Sequence, residues 1–423
     1  MFEFHHTMTE TLHQFCERSL DQIRENDLHR TLRLIESPQS AVIRINGKEY
    51  KNFSSNDYLG LANHPELKDR AVHAAHSGGV GAGASPLISG YHESLEKLQL
   101  ELARLKGTES ALVFNSGYST SIGTITSLFG SQDILIIDKL CHASLIDGAR
   151  NSGAKLRVFR HNDLLDLEKK LQWARSIGNQ DPNDTVRHIG VIAESIYSMD
   201  GDSSPLSQMV DLKNSYGAWL LIDEAHSTGL FGEDGRGYIQ SLGLSDEVEI
   251  QMGTLGKALG CSGGFIAGSN RLIDFLVNSA RSFIFSTAPS PIVCSAATAA
   301  VQIIQSNEGK MLRKNLGENI DTFYKSIPEK WKQKSESMEP GLHLHEGVMS
   351  PILPWWVGTP EKAIQLSNLL MDHGFFVPAI RFPTVPKNTS RLRITISASH
   401  ATDTVQDLAG TLIQCHEKLK RES

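Results

Sequence analysis

The stretch AWLLIDEAH, at residues 218–226, is an apolar run that ends in two carboxylates and a histidine. A continuously apolar run of this length indicates a strand covered on both faces of a sheet. Seven other runs are predicted to be strands: 110–117, 133–138, 155–161, 188–195, 249–254, 263–268 and 281–287. Segments with helical spacing, such as 164–177 and 204–217, lie between them. This alternation predicts an α/β fold with a mostly parallel, doubly wound central sheet.

The flanks of this core have a different pattern. Residues 1–60 are predicted to form a helix followed by a small hairpin that turns at Asn46-Gly47. Residues 61–300 are predicted to form the large α/β domain, which would bind the ligand. Residues 301–423, with a long polar helix and the strand-like runs PILPWWVG and RLRITIS, are predicted to form a smaller α+β C-terminal lobe.

Charge and composition exclude several classes of protein. The net charge of −7 argues against a nucleic-acid binder that neutralises phosphates. The sequence contains no run of ~18 apolar residues, so no membrane span is predicted. The cysteines are odd in number and lack CxxC spacing, which favours a reducing, cytoplasmic setting without a structural metal site. They are Cys16, Cys141, Cys261, Cys294 and Cys415.

A glycine-rich stretch, GTLGKALGCSGG at 253–264, contains a single lysine, Lys257. A nucleotide-binding P-loop requires a glycine five residues before the Gly-Lys pair and a Ser or Thr after it. Gln251 and Ala258 occupy those positions, so the P-loop interpretation fails twice. Lys257 therefore requires a different function.

Polar groups follow several of the predicted strands, where ligands gather in parallel sheets. Asp223 ends its strand, Lys257 follows the next strand, and Ser198 follows the strand at 188–195. Gly117 opens a helix whose N-terminus is suited to a phosphate. An amine for an aldehyde, a carboxylate for a ring nitrogen and a phosphate site together predict pyridoxal 5′-phosphate as the cofactor.

Six co-linear motifs carry a resemblance to a known family. They are FNSGYS, DKLCHASLIDGA, ESIYSMDGD, LLIDEAHSTGLFGEDGRG, GTLGKALGCSGGF and FIFSTAPSP. Together they resemble the α-oxoamine synthases, which are pyridoxal-phosphate enzymes of transferase fold type I. The resemblance extends from about Ser54 to RLRITISASH at 391–400, which is nearly the whole chain.

The resemblance implies a role for each residue around the cofactor ring. Lys257 would hold the aldehyde and move the Cα proton, and Asp223 would pair with the pyridine nitrogen. His226 would reach the phenolic oxygen, and His142 would stack on the ring face. Ser198 would lie beside the cofactor.

The resemblance also implies a phosphate site and a homodimer. Gly117, Tyr118 and Thr254 would bind the phosphate, and Ser286 and Thr287 would complete that site from a second subunit. Family members act as homodimers whose active sites lie at the interface, so a homodimer is expected.

For the substrates, the resemblance implies that Arg393 grips the amino-acid carboxylate and that Asn56 lies near it. Arg391 is a rival because it lies on the same face of the predicted strand. Two positions depart from many relatives: Pro86 stands where they have an arginine, and Leu95 where they often have a histidine. Both departures concern the acyl site rather than the cofactor.

The implied reaction condenses an amino acid with an acyl thioester, carried by coenzyme A or by a carrier protein, and releases CO₂. ESIYSMDGD and FIFSTAPSP favour the branch that joins L-alanine to a pimeloyl thioester. The branch that joins serine to palmitoyl-CoA is the rival, and a glycine-using ligase is a further alternative.

Purely structural roles for the single residues, and other classes of protein, stay open at this stage. Asp223 alone could be a helix cap, and His142 or His226 alone could be a hydrogen-bonded core histidine. A serine hydrolase with Ser116 or Ser198 as nucleophile is a second class, but no G-x-S-x-G elbow is present. An inactive scaffold subunit is a third class, and it predicts the loss of the lysine that stands at position 257.

Overall fold

The computed structural model describes residues 10–421 except 27, 179–187, 335–336, 338 and 345–347. Three β-sheets organise this part of the chain: a seven-stranded central sheet, a five-stranded C-terminal sheet and a three-stranded sheet. No helix among the described residues is long and apolar enough to cross a membrane.

The N-terminal segment forms a helix and a hairpin, as predicted. Helix α1 (Leu12–Glu25) starts with a capping box and buries none of its residues. Strands β1 (Val42–Ile45) and β2 (Lys48–Asn52) pair antiparallel. Asn46 and Gly47 both have positive φ, 49° and 73°, which two-residue hairpins of right-handed twist require.

Two further helices connect the hairpin to the central sheet. Helix α2 (Pro65–Gly78) follows a short 3₁₀ turn, and helix α3 (Glu93–Lys106) follows a π-helical turn at Pro86–Gly90. Gly107 ends α3 in the left-handed conformation at φ 67°, which glycine adopts without a steric penalty.

The central sheet confirms the predicted α/β class. Its strands are β3 (Ser110–Phe114), β4 (Ile134–Asp138), β5 (Lys155–Phe159), β6 (Ile189–Glu194), β7 (Trp219–Asp223), β8 (Ile250–Thr254) and β9 (Gly264–Gly268). Their order is β3-β9-β8-β7-β6-β4-β5, and only β9 runs antiparallel to its two neighbours. Residues 134–137 of β4 are at most 1% exposed, and burying one such side chain contributes about 1.5–3 kcal/mol.

Helices cover both faces of this sheet, which explains why most of its strands are continuously apolar. They are α4 (Gly117–Leu128), α5 (Ala143–Asn151), α6 (Leu164–Gly178), α7 (Leu206–Tyr216), α8 (Tyr238–Ser241), α9 (Asn270–Ser279), α10 (Arg281–Ile284) and α11 (Pro291–Gln305). One hydrophobic cluster lies under α4, α5 and α9, and another lies under α6 and α7.

The prediction of a strand at 281–287 is wrong, because Arg281–Ile284 form the short helix α10. Phe283 instead packs edge-on against Phe114, with ring centroids 5.9 Å apart. A short apolar, aromatic run has the same pattern in a buried helix as in a strand.

The C-terminal part is an α+β unit. It contains α12 (Asn307–Ser326), β10 (Lys332–Lys334), β11 (Gly341–Leu344), β12 (Ile352–Gly358), α13 (Pro360–Asp372), β13 (Phe375–Phe376), β14 (Ala379–Ile380), β15 (Ser390–Thr395) and α14 (Thr402–Arg421). The sheet order is β10-β11-β12-β15-β14, while β13 pairs with β2 of the N-terminal hairpin. Residue 300 lies inside α11, and the division at 60 and 300 stays a prediction.

Candidate active site

The carboxyl ends of the central parallel strands bring the predicted catalytic residues together. Asp223 is the last residue of β7, and Lys257 follows the end of β8 by three residues. His226 lies three residues beyond β7. Because neighbouring parallel strands end at the same edge, these groups share one cleft.

Lys257, His226 and Tyr58 form a chain of hydrogen bonds. Lys257 Nζ lies 2.6 Å from His226 Nε2, and His226 Nδ1 lies 2.6 Å from the Tyr58 hydroxyl. Burial lowers the pKa of Lys257 to about 8, although Asp223 acts in the opposite direction. Burial also holds the pKa of His226 well below its ordinary value, so the imidazole is neutral. Lys257 therefore becomes a free amine at a lower pH than an ordinary lysine does.

Asp223 is a buried acid that faces this amine. Its side chain is 5% exposed, and its Oδ1 accepts a 2.8 Å hydrogen bond from the Ala225 backbone N–H. Burial raises the pKa of Asp223, while the Lys257 charge and that N–H oppose the rise. The acid thus retains its charge only when a cation or a donor lies beside it.

His142 caps the N-terminus of α5, and its ring is fixed by Ser144. Nδ1 lies 2.8 Å from the Ser144 hydroxyl, and the Ser144 backbone N–H donates to the same nitrogen over 3.3 Å. Burial lowers the pKa of His142, which favours a neutral ring suited to stacking. Its backbone N–H donates to the Glu194 carboxyl group.

Glu194 was missed by the sequence analysis. It ends β6 directly opposite Asp223 in the parallel register of β6 and β7. The available signal was the same one that identified Asp223, namely an acid that closes a continuously apolar strand.

The start of α4 is where the sequence predicts a site for the cofactor phosphate. Gly117 is its first residue, and its amide belongs to the first turn, whose N–H groups have no partner within the helix. A Cβ at Gly117 would lie 3.7 Å from Thr254 Oγ1, so the Thr254 hydroxyl borders the same space. The Tyr118 hydroxyl donates to Asp147 Oδ2 over 2.5 Å, and the side chain is half exposed.

Ser286 and Thr287 follow α10, and the backbone of Thr287 lies close to the start of α4 in the same chain. Asn115, which the sequence analysis did not select, donates from Nδ2 to the Thr287 carbonyl over 2.8 Å. Ser116 Oγ bonds Ser119 and caps α4, so it has no imidazole partner among the described residues. The serine hydrolase alternative therefore loses its first nucleophile.

Arg393 lies in β15 and is 8% exposed. Its guanidinium donates to the Ser198 carbonyl at 2.5 Å, to Asn56 Oδ1 at 3.0 Å and to the Tyr58 hydroxyl at 3.3 Å. No carboxylate among the described residues forms an ion pair with it. A buried arginine that lacks a counter-ion is suited to bind a carboxylate from a ligand.

Arg391, the rival of Arg393, already has partners. It forms an ion pair with Asp200 and lies over the Trp356 ring, 4.3 Å from the centroid. The two departures from relatives are both buried: Pro86 opens the π-helical turn, and Leu95 is fully buried in the hydrophobic core.

These residues fit pyridoxal phosphate by their chemistry. Lys257 offers an amine with a lowered pKa, Asp223 offers a buried acid, and His142 and His226 are neutral imidazoles. The first turn at Gly117 offers backbone N–H groups to a phosphate. Within the described ranges, no cluster of three or more His, Cys, Asp or Glu side chains is arranged to hold a metal ion.

The fold and the site define a class of protein, and comparison with known families agrees. Residues 48–412 match the family model of aminotransferase class I and II, and the chain belongs to this family. Within it, the chain is 41% identical over 406 residues to 8-amino-7-oxononanoate synthase of Citrifermentans bemidjiense, covering 96% of this chain and 99% of the relative. It is 42% identical to the enzyme of that name from Geobacter sulfurreducens, covering 90% of this chain and 92% of the relative.

A solved structure shares the whole fold. A serine palmitoyltransferase variant from S. paucimobilis, with a bound PLP–myriocin aldimine, superposes with a TM-score of 0.86 at 27% identity. The match covers 97% of this chain and 100% of the other.

Proposed function

We propose that this chain is a pyridoxal-phosphate-dependent acyltransferase that condenses L-alanine with a pimeloyl thioester. The products are 8-amino-7-oxononanoate, CO₂ and the free thiol, and the pathway served is biotin synthesis. Support comes from two curated relatives of that name at 41–42% identity over at least 90% of the chain. It also comes from the match of the site to the expected cofactor chemistry.

The observation that carries this proposal is the arrangement of Lys257. Its Nζ lies 2.6 Å from a neutral His226, and burial brings its pKa to about 8. When bound, pyridoxal phosphate supplies an aldehyde that condenses with amines and a ring that withdraws electrons from the attached carbon. Lys257 is the amine for that aldehyde and, once released, the base that takes the Cα proton. Asp223 stabilises positive charge on the ring nitrogen.

Arg393 is the proposed ligand for the carboxylate of the amino acid. The guanidinium is fixed by Asn56, Tyr58 and the Ser198 carbonyl, and no carboxylate in the described part of the chain neutralises it. Binding there orients Cα for proton removal by Lys257, and such positioning is a large part of enzymatic rate enhancement.

The remaining predicted contacts are proposals of the same kind. His142 stacks on the ring, Gly117 and Thr254 hold the phosphate with Tyr118, and Ser198 lies beside the cofactor. Ser286 and Thr287 complete the phosphate site of a second subunit in a homodimer. We also propose a cytoplasmic location.

A substrate assay with purified holoenzyme tests the proposal. L-alanine, glycine and L-serine are each offered with pimeloyl and palmitoyl thioesters, and CO₂ and thiol release are measured. We expect the highest kcat/KM for alanine with the pimeloyl thioester. Lys257→Ala serves as the control and should lose turnover together with the visible absorbance of the lysine-bound cofactor. Wild-type turnover in Lys257→Ala would exclude the assigned role of the lysine.

Serine palmitoyltransferase activity is the second candidate, favoured by the TM-score of 0.86 to a structure of that name. This activity is placed second because that serine palmitoyltransferase is only 27% identical to this chain, whereas the other two relatives are 41–42% identical. Efficient use of serine with palmitoyl-CoA in the same assay would reverse this order.

A further inference from the structure

The loop between β6 and α7 extends from the central sheet to the C-terminal sheet. Residues 195–204, here called the β6–α7 loop, fold back on themselves as an antiparallel hairpin. The Tyr197 N–H donates to the Asp202 carbonyl, and the Gly201 N–H donates to the Tyr197 carbonyl, each over 2.9 Å. The backbone of the loop therefore presents residues 198–201 at its tip.

The base of the β6–α7 loop is held by the central α/β part of the chain. Asn162, which follows β5, donates from Nδ2 to Asp202 Oδ2 over 2.8 Å and to the Ser203 carbonyl over 3.1 Å. His161 Nε2 lies 2.7 Å from the same oxygen of Asp202. The base of the loop is thus fixed relative to the central sheet.

The tip of the loop contacts two arginines of β15. The Ser198 carbonyl accepts a hydrogen bond from Arg393 Nε over 2.5 Å, and the Asp200 carboxylate forms an ion pair with Arg391. Residues two apart in a strand lie on the same face, so the two contacts lie side by side along β15. The loop contact of Arg393 therefore has the ion pair of Arg391 as its neighbour.

The ion pair between Asp200 and Arg391 is enclosed by the protein. The side chain of Arg391 is 2% exposed and that of Asp200 is 13% exposed. Arg391 also donates from Nε to the Thr389 carbonyl over 3.1 Å, and its guanidinium lies 4.3 Å from the centroid of the Trp356 ring. Separating two enclosed charges is costly, so the pair opposes movement of the loop away from β15.

We propose that the Asp200–Arg391 pair is a latch, which holds the β6–α7 loop against β15 and so fixes the Arg393 guanidinium for the carboxylate of the amino acid. Asp200 and Arg391 are positioning residues, because they act through the Ser198 carbonyl and Arg393. A planar guanidinium binds a carboxylate well only when the two groups are aligned, so a displaced loop weakens that binding. This inference rests on the role proposed above for Arg393, and it gives the two arginines separate tasks.

The preference of the holoenzyme for a carboxylate tests the latch. L-alanine and ethylamine differ only by the carboxylate, and each is titrated into the holoenzyme while the cofactor absorbance is followed. The ratio of the two dissociation constants measures what the carboxylate contributes, without thioester or turnover. We expect Asp200→Ala to reduce this ratio at least about tenfold.

An enzyme that is merely destabilised would bind both amines more weakly and keep the ratio. An unchanged ratio in Asp200→Ala would therefore overturn the proposal. Asp200→Asn retains an acceptor for Arg391, and its ratio should lie between those of the wild type and Asp200→Ala.

Arg391→Met removes the other half of the latch and keeps an apolar side chain over Trp356. We expect the same loss of the ratio as in Asp200→Ala. The double variant should be no worse than either single variant, because residues that act as one unit are not additive. Losses that add in the double variant would contradict the latch.

Glu249→Ala is the matched control. Glu249 pairs with the buried Lys213 and accepts the Leu220 N–H over 2.9 Å, and it directly precedes β8, at the opposite end of that strand from the site. This variant also loses the acid of an ion pair, but it should keep the wild-type ratio. A comparable loss in Glu249→Ala would mean that the ratio responds to the loss of any such pair, and the latch would be refuted.

Arg393→Gln separates this inference from the proposed function, because it should lose the preference for the carboxylate altogether. If Arg393→Gln loses the preference and Asp200→Ala keeps it, the latch alone is wrong. If Arg393→Gln keeps it, the role proposed for Arg393 is wrong and the latch fails with it. Glycine with methylamine and L-serine with ethanolamine are compared in the same way. A loss of the ratio for one of these pairs, with alanine inactive, would support the latch and contradict the proposed substrate.

Discussion

At the scale of single residues, the site is governed by what burial does to each titrating group. Burial lowers the pKa of Lys257 to about 8 and raises that of Asp223. The lowered pKa makes Lys257 easier to deprotonate. The raised pKa means that Asp223 needs a cationic partner in order to stay ionised. A ring nitrogen that binds a proton is such a partner, and so the site is suited to the cofactor before it arrives.

The lowered pKa of Lys257 predicts the pH dependence of cofactor uptake. The neutral amine is the reactive form, and an ordinary lysine reaches half neutralisation only near pH ~10.4. We expect the rate at which cofactor-free protein takes up pyridoxal phosphate to rise with pH up to about 8 and then to level off. Stopped-flow absorbance measures this rate.

N-acetylated lysine methylamide is the control for this measurement, because its amine titrates without burial. Its rate should continue to rise towards pH 10 under the same conditions. If the protein follows the control, the buried environment does not lower the pKa of Lys257.

At the scale of elements, the sequence predicts strands well where both faces are covered. Every central strand from β3 to β9 was predicted, and most were visible as apolar runs because helices bury them from two sides. The edge strand β5 differs, since only Phe159 of its residues is buried. The same criterion failed at 281–287, since a short buried helix is equally apolar. Periodicity over so few residues does not separate the two structures.

The choice between Arg391 and Arg393 could not be made from the sequence. Residues two apart in a strand share a face, so the pattern treats them alike. The difference depends on the distant loop that follows β6, where Asp200 pairs with Arg391 and the Ser198 carbonyl accepts from Arg393. Only the folded chain brings this loop against β15.

The close approach of β9 to α4 yields an element-scale prediction. A Cβ at Gly264 would lie 2.7 Å from Gly117 Cα and 2.8 Å from Gly117 N, both backbone atoms that cannot move freely. We expect Gly264→Ala to displace the first turn of α4, weaken cofactor binding at least about tenfold and destabilise the fold by about 1–3 kcal/mol. Fluorescence titration with the cofactor and thermal unfolding measure the two effects.

Gly317→Ala is the matched control for this substitution. Gly317 lies within α12, and a Cβ there has nothing within 4 Å. Alanine is the better helix former by about 1 kcal/mol, so this variant should be neutral or slightly more stable with unchanged cofactor affinity. Unchanged affinity in Gly264→Ala as well would show that the contact between β9 and α4 does not shape the anion site.

At the scale of the whole molecule, the site is assembled from distant parts of the chain. Asn56 and Tyr58 follow the N-terminal hairpin, Asp223 and Lys257 lie at and just beyond strand ends of the central sheet, and Arg393 comes from the C-terminal sheet. Strand β13 of the C-terminal part also pairs with β2 of the hairpin. Spacing along the sequence does not indicate such long-range contacts, so the roles of Asn56 and Arg393 were predictable only through family resemblance.

His161 links β4 to the loop after β6, and its charge contributes to the stability of the molecule. Its Nδ1 lies 3.0 Å from Asp138 Oδ1 and its Nε2 lies 2.7 Å from Asp202 Oδ2. The two carboxylates overcome burial and raise the pKa of His161 to about 10. In an unfolded chain a histidine titrates near ~6.5.

This difference predicts a pH window for stability. The folded state binds the His161 proton more tightly than the unfolded state does. The contribution of His161 to the free energy of unfolding is therefore complete below about pH 6.5 and is lost as the pH rises to about 10. We compare wild type with His161→Gln, whose amide can donate to only one carboxylate at a time and carries no charge. The midpoint of thermal unfolding is measured for both proteins at pH 6.5, 8 and 10.

Wild type should be clearly more stable at pH 6.5, and its advantage should shrink steadily towards pH 10. Groups that titrate equally in both proteins cancel in this comparison, so an advantage that stays constant with pH would mean that His161 acts through packing rather than through its charge.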